Sequence, residues 1–150
     1  MTGNEPTGGD GPEADPAFNA HLKARAAAAR DRYGPDIDAA ALARLLADRA
    51  VVRWPTELCF DARPPQEGEF AYPQPLGFHP SDGFCLFVHP HFEQRPDALP
   101  LLVAYHIPSI NYGSIAEARH AELYGATLLG LDVEAYYREL CALADSMPRR

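Results

Sequence analysis

The residues best suited to chemistry here are histidines, and their spacing decides what they can do. His79, Asp82 and His106, with Tyr105, Asn111 and Tyr112 close by in sequence, are expected to gather at one end of a central hairpin. Two imidazoles and a carboxylate are nitrogen and oxygen ligands of the kind zinc takes, and His120 could complete the set from the helix that follows. In that reading His79, His106 and His120 hold the metal. Asp82 binds it or serves as general base for a bound water, and Tyr105 is a second catalytic candidate. The plainer reading makes the same residues polar groups that satisfy a strand end and a Pro-rich loop.

Other patterns are thinner. His89-Pro90-His91, with Glu93, would place two imidazoles on one face of a strand. It also suits a solvated turn. Glu117 and His120 have the Glu-x-x-His spacing of di-iron bundles, which need two such copies and two further glutamates, and here there is one. His120 shares a helical face with Ala116, Leu123 and Thr127, so a buried, hydrogen-bonded core histidine is its simpler role. Lys23 is the only lysine, which leaves Schiff-base and P-loop chemistry without an amine. Gly-x-Ser-x-Gly, His-Glu-x-x-His, Gly-x-Gly-x-x-Gly and Cys-x-x-Cys are absent, and the four serines offer no nucleophile motif.

The elements that must position these residues follow from apolar runs and breakers. Phe84–Val88 and Leu101–Ile107 are short apolar runs rich in β-branched and aromatic residues, separated by three prolines. The prolines leave little room for a crossover helix, so an antiparallel hairpin is expected. Its geometry separates His89 from His106 by about 17 Å at about 3.4 Å per residue. Val51–Trp54 and Glu57–Asp61 read as strands interrupted by Pro55, with Leu58 and Phe60 on the buried face. Residues 62–80, with five prolines, read as a long loop.

Helices are better signalled. Asp15-Pro16 opens one that runs to about Tyr33 and stops at Gly34-Pro35. A second spans roughly Asp38–Arg49. Ser114 and Glu117 form a capping-box pattern for a third, ending at Gly130. Asp132 caps the last helix, whose apolar stripe is Val133, Tyr136, Tyr137, Leu140, Cys141, Ala144 and Met147. All seven positions of that stripe, Cys141 included, are expected to face the core. Cys59 and Cys85 fall on strands and read as small buried hydrophobes.

The expected fold is therefore α+β: a small antiparallel sheet covered by N-terminal and C-terminal helix pairs. Residues 1–14, low in apolar side chains, read as a disordered tail, and residues 15–150 as one domain. The formal charge of −8 opposes nucleic-acid or anionic-membrane partners, and no apolar run approaches the length of a spanning helix. Three scattered cysteines and an acidic start without a signal-peptide pattern point to the cytoplasm. Two functions fit. The first is a non-catalytic accessory protein that binds a protein partner, a second copy of itself or a small molecule. The second is a small zinc-type hydrolase using the His79, Asp82 and His106 cluster.

Overall fold

The computed structural model describes residues 15–62 and 69–148. The expected tail at residues 1–14 and the middle of the Pro-rich segment lie outside the described residues. Helix α1 (Pro16–Tyr33) begins where Asp15-Pro16 puts it and stops at Gly34, whose N–H closes on the Arg30 carbonyl at 2.7 Å. Helix α2 (Ala39–Leu46) is capped by the Asp38 carboxylate, which accepts from the Ala41 N–H at 2.8 Å. Leu42, Leu45 and Leu46 are buried along it, as the sequence spacing requires.

The chain is α+β, and its sheet is mixed rather than antiparallel. Strands β1 (Thr56–Phe60), β2 (Ala71–Pro75) and β3 (Phe84–Val88) lie in the order β1-β3-β2. β1 runs parallel to β3, with Leu58 opposite Leu86, and β2 runs antiparallel to it, with Pro73 opposite Leu86. The hairpin in the molecule is thus β2–β3, drawn from the Pro-rich segment. Pro73 and Pro75 are tolerated because β2 is an edge strand with one side free of ladder bonds.

Leu101–Ile107 is not a strand. It forms the middle of helix α3 (Leu99–Tyr112), with Pro100 in the first turn, where a missing N–H costs nothing. Nine of its residues are buried, among them Leu102, Val103, Ala104, Ile107 and Ile110. A helix wrapped on all sides carries apolar residues all round, so it shows neither a stripe nor a period. Helix α3 is seated on the sheet, against β2, and α2, α4 and α5 pack round it.

Val51–Trp54 is likewise not a strand. Val51 and Val52 are buried, but their backbone is held by a side chain. The Asn111 Oδ1 accepts from the Arg53 N–H at 2.8 Å, and its Nδ2 donates to the Val51 carbonyl at 2.9 Å. A single buried amide does here what a neighbouring strand would otherwise do.

The C-terminal helix pair, α4 (Ala118–Leu129) and α5 (Val133–Ser146), turns through Gly130 in the left-handed region and is recapped by Asp132. Helix α4 starts one turn later than Ser114 suggests. Residues 113–115 form a short 3-10 turn, and His120 Nδ1 accepts from the Glu117 N–H at 2.9 Å. Helix α5 closes onto α4 at Gly125, where any Cβ would strike the Tyr136 ring. Tyr136 is fully buried, and its hydroxyl donates to the Leu101 carbonyl at 2.7 Å, which ties α5 to α3.

Candidate functional site

Helix α5 carries a wider apolar stripe than its neighbours can cover. Tyr136, Leu140 and Leu143 are buried, whereas Tyr137 is 52% exposed and Cys141 is exposed. The expectation that the whole stripe is core therefore fails for Val133, exposed in the first turn, and for Tyr137 and Cys141. The half of the stripe that holds Tyr137 and Cys141 forms one wall of a cleft of about 270 Å³. Tyr105 and His106 of α3, Glu122 of α4, and Glu69, Phe70 and Ala71 at the start of β2 line the rest.

Phe70, Tyr105 and His106 meet edge to face, with ring centroids 5.3 to 5.9 Å apart. This aromatic corner desolvates what it holds. Burial pushes the His106 imidazole down to about 4, so the ring is neutral at physiological pH. Its Nε2 is buried without a hydrogen-bond partner. Burial raises the Glu122 carboxyl above the usual range. The Tyr105 phenol is also raised, by burial first and then by Glu122 and Tyr137. Tyr137 is raised mainly by hydrogen bonding to Cys141. The cleft is thus mostly apolar, and two phenols, one cysteine, two carboxyl side chains and one neutral imidazole are among the residues that line it.

Of the residues singled out in the sequence, Tyr105 and His106 sit together here. The others have different neighbours, because the hairpin expected to align them does not exist. His79 begins the 3-10 turn Pro80–Asp82. Its Nδ1 accepts from the Ser81 N–H at 3.2 Å, and the Asp82 carboxylate accepts from the His79 N–H at 3.3 Å. These two residues cap a turn that delivers the chain to β3, and the His79 ring lies against Trp54. His120 is 2% exposed, packed on Phe18 at 4.8 Å, with a buried Nε2 that lacks a partner. It belongs to a seam between α1, α3 and α4 in which His21 Nε2 and the Tyr112 hydroxyl meet at 2.7 Å.

His89 Nδ1 accepts from the His91 N–H at 3.1 Å, so the His-Pro-His stretch starts a 3-10 turn. Among the described residues, no three histidine, cysteine or carboxylate side chains are grouped to hold a metal ion. No helix among them is long and apolar enough to cross a membrane.

Sequence reasoning missed Phe70, Glu122, Tyr137 and Cys141 as one site. The available signal was the α5 stripe itself, which spreads Tyr136, Tyr137, Leu140 and Cys141 over more of the helix than one packing face needs. Comparison with protein-family models, curated proteins and solved structures finds no match to this chain.

Proposed function

We propose that this is a non-catalytic binding protein whose α3–α4–α5 cleft takes a small apolar ring bearing one hydrogen-bonding group. The observation that carries the reading is the buried, unpartnered Nε2 of His106 in the wall of a mostly apolar cleft. A buried polar atom without a partner costs about 1–3 kcal/mol, and a ligand that supplies the partner recovers that cost on binding. Ligand sites commonly combine apolar walls with a few placed polar groups.

Recognition suits His106 better than proton transfer does. A general base works best near the operating pH. An imidazole held at about 4 is a weak base, but it remains a good neutral hydrogen-bonding group. The zinc-hydrolase reading would need His79, His106 and His120 to converge, and they lie in three separate surroundings.

Phenol, with toluene as its counterpart lacking the hydroxyl, tests the proposal. In protein labelled with 15N-histidine, phenol should shift the His106 ring resonances saturably and more strongly than toluene does. His106→Phe should remove the preference between the two. Shifts scattered over the surface, or equal responses to phenol and toluene in the wild type, would overturn it.

A further inference from the structure

The outer face of the sheet carries a feature that the cleft does not use. Strand register puts Leu58, Phe60, Leu86 and Val88 on the face that joins the core, and Glu57, Cys59, Cys85 and Phe87 on the other. On that outer face the Cys85 thiol donates to the Cys59 sulfur, with 2.9 Å between the two Sγ atoms. Cys59 is paired with Phe87 and Cys85 with Glu57, so the two thiols sit diagonally across neighbouring parallel strands. Both cysteines are free in this state. Tyr72 and Gln74 flank them from β2, and both are exposed.

We propose that Cys59 and Cys85 form a reversible dithiol–disulfide pair that reacts with small-molecule disulfides of the glutathione type. The two sulfurs already touch, and a bond requires them to close to about 2.05 Å. The two thiols are not equivalent. Cys85 is buried, and burial followed by its hydrogen bond to Cys59 pushes its thiol up to about 12. Cys59 is only half-buried and accepts that hydrogen bond, so it is the sulfur that reagent from solvent reaches first.

The Cys59 thiolate attacks one sulfur of the small disulfide, forming a mixed disulfide and expelling one thiolate. Cys85 then loses its proton to water and attacks the Cys59 sulfur, expelling the second thiolate. The protein gives up two protons and two electrons, and the reagent is reduced to two thiols. This chemistry does not depend on the cleft reading.

The test uses the full chain in mixtures of oxidised and reduced glutathione, followed by intact-mass and peptide mapping. Cys141, exposed on α5, is the internal control for unselective oxidation. A loss of about 2 Da mapped to the Cys59 and Cys85 peptides, reversed by dithiothreitol, is expected in wild type and in Cys141→Ser. Cys59→Ser and Cys85→Ser should each abolish it. The oxidised wild type should also melt about 5–10 °C higher than the reduced protein. That comparison needs no substitution, so it stands even where Cys85→Ser folds poorly. Glutathione adducts on Cys59 or Cys141 without the 2 Da loss, or an unchanged melting temperature after full oxidation, would overturn the proposal.

Discussion

Asn111 shows how much one side chain decides in this fold. It is 7% exposed and bonds the backbone on both sides of Val52, with Arg53 Nη1 returning a third bond to the Asn111 carbonyl at 3.1 Å. Asn111→Leu keeps the branched shape but strands one N–H and one C=O. It should cost about 2–4 kcal/mol in urea unfolding, at about 1–3 kcal/mol for each buried group left unpaired. A cost below 1 kcal/mol would mean that water replaces the amide and that Val51–Arg53 is held by packing alone. His79 and Asp82 work on the same scale: His79 Nδ1 and one Asp82 carboxylate oxygen bond the turn that leads into β3. Both residues were visible in the sequence as polar groups near a strand start, but the turn they cap was not.

Helix α5 puts the cleft to the test at the scale of an element. Its buried side, with Leu140 4% exposed, belongs to the core. Its other side, with Tyr137 52% exposed, faces the cleft and solvent. Leu140→Ala should therefore cost about 2–5 kcal/mol, whereas Tyr137→Ala should cost less than about 1 kcal/mol. Denaturant midpoints of the two variants check this directly. Equal costs would show that the whole stripe is covered and that the cleft is closed in solution. The periodicity of α5 was plain in the sequence. How far round the helix its neighbours reach depends on where α3 and α4 lie, and no local pattern encodes that.

Acid stability belongs to the whole molecule, since it compares the folded chain with the unfolded one. Burial holds His106 at about 4, against about 6.5 in the unfolded chain, and His120 is lowered too, chiefly by burial. Above 6.5 both states carry neutral imidazoles and stability is at its full value. As pH falls from 6.5 toward 4, the unfolded chain takes protons that the folded chain refuses, and stability drops. His106 alone should account for a loss of about 3 kcal/mol by pH 4, where the folded form begins to protonate and the loss levels off. Asp48 acts lower. Its hydrogen bonds to Tyr33, Ala50 and Arg32 hold it at about 2, so its contribution disappears only below its ordinary value of 3.8. Urea unfolding at pH 7 and pH 4.5 should show a clearly smaller gap for His106→Phe than for wild type. An identical pH dependence would place His106 in water.

The sequence by itself determined what short-range chemistry can specify. Pro16, Gly34, Gly130 and Asp132 mark helix ends at their expected places, Gly130 through its left-handed backbone and Asp132 through its carboxylate cap, whereas Asp15 precedes its helix without a side-chain cap bond. Leu58 and Phe60 were assigned to the buried face of their strand by alternation, and the register bears this out. Tertiary structure alone decided the rest. A run such as Leu101–Ile107 is apolar on every side, and a buried helix and a buried strand look alike in it. Only its surroundings, with β2, α2, α4 and α5 all packed against it, select the helix. The same holds for the strand pairing: β2 was hidden among prolines, which an edge position permits and a central one does not. His106 became the centre of the candidate site because helix α3 turned it toward Phe70 and the cleft, a contact between residues 36 positions apart that depends on long-range packing.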